Sequence, residues 1–176
     1  MSYHGIQYQS MAPEVMDSAQ LAWLQSHLWI LSGLYGCVRP FHAVEPYRLE
    51  MGAKLAVDDA PDLYAFWRDK LARAIAPAGS NTTIVNLASV EYAKAVLPHL
   101  AGDATAVTCL FGEGIRNGKP IQRSTASKKA RGSMVRWMAE NKLEDASELT
   151  AFNIGYRHVP ELSYLGTLMF INEQML

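Results

Sequence analysis

Cysteine is scarce in this chain: Cys37 and Cys109 are the only two among 176 residues. Two thiols cannot build a disulfide framework, so a cross-linked secreted scaffold is excluded and a reducing compartment is expected. Their plainest reading is a pair of buried free thiols. No apolar run approaches the roughly 20 residues that span a bilayer. The opening "MSYHGIQYQS" carries neither a charged nor an apolar leader region. No membrane partner is expected, and the predicted location is cytoplasmic. Histidine is thin as well. His4, His27, His42, His99 and His158 are scattered, and none forms an H-x-x-x-H or H-E-x-x-H pair. No metal site and no cofactor is predicted, and an iron-binding role lacks a compact ligand set. A Walker loop, a dinucleotide fingerprint and a Gly-x-Ser-x-Gly elbow are all missing. The "GEG" at 112–114 is too short to count as a phosphate loop. Cys37 and His42 are close in sequence, but no third residue completes a nucleophilic set.

What is present is material for a core. Hydrophobic residues make up 49% and charged residues 19% of the chain, which fits one globular domain rather than a disordered segment. Asp17 and Ser18 are cap-type residues before Leu21, Leu24, Leu28 and Leu31, whose spacing predicts a helix ending at Gly33 and Gly36. Trp23, Ile30 and Leu34 fall on the opposite side of that helix, so an apolar patch is expected there, exposed or covered by self-association. A second helix is expected over Pro61–Ala76, a buried strand over Thr82–Ala88, and a short helix from Ser89 to Leu97. Asn117-Gly118 marks a hairpin within 104–124. Ser127–Asn141 reads as a long helix and Tyr164–Asn172 as a final strand. The pattern predicts an α/β fold of mixed type: a mixed sheet, a hairpin in the C-terminal half and packed helices.

Charge is unevenly placed. Between Arg116 and Lys142 lie eight cations and only Glu140, a segment charge of +7; the remainder holds eight cations and sixteen carboxylates, or −8. Such asymmetry points to a phosphate-rich partner, against the plainer reading of a solvated basic face. On the helix, Ala130, Met134, Trp137, Met138 and Asn141 fall on an expected core side, and Lys129, Gly132, Ser133 and Arg136 on another. Small residues between two cations would let a backbone or a phosphate come close.

One stretch fits neither helix nor strand: "LSGLYGCVRPFHAVEPYRLEMGAKL", residues 31–55, rich in glycine, proline, aromatics and charge. A long connection of this kind is suited to present side chains at a cleft. Arg39, Glu45, Arg48 and Glu50 could equally pair with one another. The stretch closely resembles the signature of the YaaA family of bacterial peroxide-stress proteins. "DLYAFW" (62–67), "NLASVEY" (86–92), "KKARGSMVRWMAEN" (128–141) and "LTAFNIGY" (149–156) continue the resemblance in order.

The resemblance implies one YaaA-like domain over 1–176, without the family's N-terminal strand and helices. It implies a peroxide stress response protein that binds DNA through a basic cleft and protects it from iron-dependent oxidative damage, with a helix-hairpin-helix element not located in this chain; the resemblance carries no established enzymatic reaction. Joined to the charge pattern, it makes Arg39, Arg48, Lys128, Lys129, Arg131 and Arg136 the candidate DNA- or phosphate-binding residues, with sequence-independent backbone contacts. The competing reading is an enzyme acting on a phosphorylated or nucleotide substrate, with Tyr47, Arg48, Glu50, Asn86, Ser89 and Lys128 as its polar groups.

Overall fold

The computed structural model describes residues 3–175. In chain order its elements are α1 (Ile6–Met11), α2 (Ser18–His27), β1 (Ile30–Ser32), β2 (Gly36–Val38), α3 (Leu63–Trp67), α4 (Lys70–Ile75), β3 (Thr83–Asn86), α5 (Val90–Ala93), β4 (Thr105–Gly112), β5 (Ile115–Arg116), β6 (Lys119–Pro120), α6 (Ser124–Asn141), β7 (Tyr156–His158) and β8 (Thr167–Asn172), with short 3-10 turns between. The fold is of mixed α/β type, as expected. The chain divides into two compact units, one of Tyr3–Leu24 with Val107–Leu176 and one of Gln25–Ala106.

In the first unit a mixed sheet carries the core. β8 runs parallel to β4, with Thr108 opposite Thr167 and Gly112 opposite Ile171, and antiparallel to β7. Phe111, Phe170, Ile171, Met169 and Cys109 are buried along it. Phe111 stacks on Phe170 at 5.5 Å and meets Phe152 and Tyr156 edge-on. Trp137 of α6 packs edge-on against Phe152 at 5.6 Å. Such ring pairs add to the area they bury. Asn117 and Gly118 both take positive φ, 52° and 74°, as a two-residue hairpin loop demands. The ladder it closes is short, Ile115–Arg116 on Lys119–Pro120, and is extended by Glu113 N donating to the Ile121 carbonyl and Ile121 N to the Gly114 carbonyl.

Helix α6 is the longest element and starts three residues earlier than its periodicity predicts. Ala130 and Met134 are buried as expected; Trp137 and Met138 are half-buried, and Asn141 is exposed. Ser127, Gly132, Val135 and Ala139 are buried instead, because a second flank of the helix is covered. The cover is α1, which the sequence gives no strong sign of, and it packs along α6. A Cβ on Gly132 would stand 2.0 Å from the Gln7 carbonyl oxygen and 2.9 Å from Cβ of Ser10. The close approach expected at Gly132 is therefore made by backbone within the fold, and no phosphate can occupy that position.

Helix α2 begins in the first unit and its last residues belong to the second, which also holds the irregular stretch of residues 31–55. Asp17 and Gln20 form a reciprocal cap on α2, with Gln20 N donating to Asp17 Oδ1 at 2.8 Å and Asp17 N to Gln20 Oε1 at 3.0 Å. The helix stops at His27, well short of Gly33. Arg39 explains the stop: its Nη1 donates to the carbonyls of Ser26 (2.8 Å) and Leu28 (3.3 Å), and its guanidinium lies 3.7 Å above the Trp29 ring. The next residues form the β1–β2 hairpin, Ile30 opposite Val38. Trp23 and Ile30 are buried, and of the three patch residues only Leu34, in the hairpin turn, is exposed. The contiguous apolar patch on the first helix is absent, and the basis for self-association through it goes too.

Residues 39–62 contain no helix or named strand. They form a strap held by side chains. Ser32, fully buried, accepts from the amides of Leu34 and Tyr35 and from the Tyr47 hydroxyl at 2.5 Å. Glu45 N donates to the Tyr35 hydroxyl, and Gly52 N to Glu91 Oε1 at 2.7 Å. Gly33 lies so near the strap that a Cβ there would be 2.7 Å from the Leu49 carbonyl oxygen. Met51 anchors the strap in a core with Leu63, Leu71, Ala72, Ala95 and Val96. The expected Pro61–Ala76 helix is two, because Arg68 takes φ 47° and ψ −127° between α3 and α4. β3 begins beside β4, Thr105 N donating to the Thr82 carbonyl at 3.0 Å.

Replacing a solvent-exposed helical glycine by alanine ordinarily stabilises a protein by about 1 kcal/mol. Gly132→Ala should do the reverse and lose about 1–3 kcal/mol, the usual cost of overpacking. Urea unfolding decides it; a variant as stable as the parent would refute the α1–α6 contact.

Candidate functional site

Four of the six candidate residues share α6. Lys128 and Lys129 sit in its second turn and are exposed. Among the described residues neither is in an ion pair. Arg136 is differently placed: its Nε donates to Glu140 Oε1 at 2.7 Å, one turn on. That i,i+4 pair commits the cation to the only carboxylate of the basic segment. Arg131 is half-buried, and its Nε is enclosed without a hydrogen-bond partner. Desolvation lowers its pKa.

Two things hold these side chains outward. Ser127 turns its hydroxyl to the Phe111 carbonyl at 3.4 Å, tying the first turns of α6 to β4. Gly132 seats the helix on α1. With those flanks taken, Lys128 and Lys129 are left to solvent. The unit that contains them is electrically balanced: over Tyr3–Leu24 and Val107–Leu176 the sequence supplies nine cations and nine carboxylates. The +7 of residues 116–142 is thus a local field on a neutral body, effective within about a Debye length of roughly 8 Å at physiological salt.

The remaining two candidates belong to the other unit. Arg39 serves as the cap of α2, with Nη1 and one guanidinium face already engaged. Arg48 is exposed on the strap beside Tyr47. Of the groups proposed for an enzyme, Tyr47 is spent on Ser32, and Asn86 Oδ1 accepts from Ala88 N at 3.1 Å. His42 turns Nδ1 to the Arg39 amide at 3.4 Å. Among the described residues no group of three or more His, Cys, Asp or Glu is placed to hold a metal ion.

One polar cluster escaped the sequence. Tyr156 donates to Glu113 Oε1 at 2.5 Å and is also hydrogen-bonded to Asn172. Burial, then the bond to and charge of Glu113, raise the phenol's pKa. The cluster lies just past Gly112 and Ile171, at the carboxyl ends of the two parallel strands. Partners 43 residues apart leave no local signal. His158 Nε2 also lies 3.0 Å from the Ser163 hydroxyl, which in addition meets the Val159 carbonyl at 2.9 Å and accepts from Met169 N, a local brace around the start of β8.

The combination is that of a mixed α/β protein with a solvent-facing basic helix and an irregular, side-chain-braced strap. The family model for the peroxide stress protein YaaA matches residues 1–162. The chain is 47% identical over 176 residues to a UPF0246 protein of Pediococcus pentosaceus, covering 99% of this chain and 69% of that protein. It is 42% identical over 172 residues to a UPF0246 protein of Desulfitobacterium hafniense, covering 97% and 67%. A UPF0246 protein of Lactiplantibacillus plantarum is 45% identical over 153 residues, covering 87% and 60%. The chain belongs to the YaaA family of peroxide stress proteins, and it spans about two thirds of the length of these relatives or somewhat less.

A peroxide-linked protein invites attention to its thiols. Burial pushes Cys109 up to about 12 and raises Cys37 as well, the latter against a smaller opposing effect of Arg39. The thiolate is the reactive form. At pH 7.5 the folded protein should therefore show no fast phase with a disulfide reagent, and both thiols should react at once in guanidinium. A fast native thiol, or its oxidation by dilute peroxide, would contradict this.

Proposed function

We propose that this chain is a DNA-associated member of the peroxide stress response, contacting the phosphate backbone through the outer face of α6. Protection of DNA from iron-dependent oxidation would follow from that association. One observation carries the reading: Lys128 and Lys129 are exposed side by side, among the described residues without an acid, while Gly132 and Ser127 hold the helix by its other flanks. Contacts of this kind position a protein without reading sequence. Arg48 is exposed on the strap of the other unit, and the reading does not depend on it. Arg39, engaged as a helix cap, and Arg136, engaged with Glu140, contribute less than a free cation would. The enzyme reading gains no comparable support, since Tyr47 and Asn86 are already engaged inside the fold.

Binding to duplex DNA should weaken as salt rises, with a log–log slope of about −0.9 per neutralised phosphate. Changing Lys128 and Lys129 together to Ala should make that slope shallower by about two contacts' worth, equally on two unrelated duplexes. Arg136→Ala should change it less. The readout is fluorescence anisotropy across a salt series, with circular dichroism to confirm folding. An unchanged slope in a folded double variant, or no binding by the parent at low salt, would overturn the proposal.

A further inference from the structure

Arg131 is an anomaly. Its Nε is fully enclosed and makes no hydrogen bond, and among the described residues no carboxylate lies within ion-pair distance of its guanidinium. Half-burying a guanidinium without a partner is costly, and among the described residues no group holds its terminal nitrogens, which remain open to an anion while Nε is enclosed. Nothing in the segment supplies an acid: Glu140 is the sole carboxylate between 116 and 142 and is held by Arg136.

The surroundings say which sign of partner fits. Lys128 lies one turn before Arg131 on α6, and Arg131 adjoins Gly132, the point where α1 lies closest to the helix. A cation beside a second cation attracts an anion. The guanidinium fork matches the geometry of a tetrahedral oxyanion, which a lysine does not.

We propose that Arg131 is the centre of an oxyanion site beside the α1–α6 contact, taking a phosphate group with Lys128 at its outer side. The phosphate can come from a nucleic-acid backbone or from free phosphate and its monoesters; the first source rests on the DNA reading above, the site itself does not. In that arrangement Lys128 and Lys129 provide exposed, screened attraction, and Arg131 provides the desolvated, directional bond.

The test compares thermal unfolding in sodium phosphate and in sodium chloride at matched ionic strength, followed by tryptophan fluorescence. The parent's Tm should rise with phosphate and saturate, as binding to the folded state alone requires. Arg131→Met should lose the phosphate-specific rise. Should that variant not fold, Arg131→Lys keeps the charge without the fork and should show a smaller rise. No phosphate-specific rise in the parent, or the same rise in the parent and the folded variant, overturns the site. A parallel salt series on duplex DNA separates the sources. If the backbone supplies the anion, Arg131→Met makes the slope shallower by about 0.9 and free phosphate competes with DNA. If the phosphate-dependent rise is lost and the DNA slope is unchanged, free phosphate or a monoester is the ligand. A parent that shows the rise and binds no DNA keeps the oxyanion site and removes the DNA reading.

Discussion

The close approach of α1 to α6 at Gly132 governs the unit that carries the basic segment. A helix of eighteen residues with cations on several sides could rotate to bury one stripe or another. The Gln7 carbonyl, 2.0 Å from where a Cβ would stand, allows no side chain at position 132 and fixes the rotation. Ser127 bonded to β4, and Trp137 against Phe152, hold the helix on the sheet side. The exposure of Lys128 and Lys129 and the partial burial of Arg131 both follow from that orientation. The roughly 1 kcal/mol of helix propensity lost at a glycine is the cost of letting two backbones meet.

The second unit solves a different problem. A 24-residue connection without regular structure must satisfy its backbone polar groups some other way. Here side chains supply partners, Tyr35 for Glu45 N and Glu91 for Gly52 N, and Ser32 and Arg39 do the same for the hairpin turn and the end of α2 that flank the connection. The aromatics and charges that make this stretch so recognisable are therefore structural in large part. Tyr47 and Arg39 brace the fold, whereas Arg48 is exposed.

Local signals were legible wherever the determinant is local. The Asp17 cap, the Asn117-Gly118 turn and the body of α6 all carry their cause within a few residues; the β-branched run of β3 forms its strand, but of its four residues only Asn86 is buried rather than the whole strand. Leucines at 21, 24, 28 and 31 mimic helical spacing and predict a helix past His27, where α2 ends. What ends the helix is an arginine thirteen residues beyond the carbonyl it caps. Gly132 announced a close approach but not its source, since α1 lies more than a hundred residues earlier. Glu113 and Tyr156, and Tyr47 and Ser32, are joined only by the fold. Periodicity reports a face; it does not name what covers it.

The central claim is that α6 meets phosphate with its outer face while its other flanks stay packed. Amide NMR of the labelled chain, titrated with a short duplex at low salt, tests this most directly. The account predicts shifts concentrated at Lys128, Lys129 and Arg131, with Met134, Val135 and Ala139 on the buried side of the helix unmoved. Shifts that spare α6, or that spread through its buried side, would contradict it.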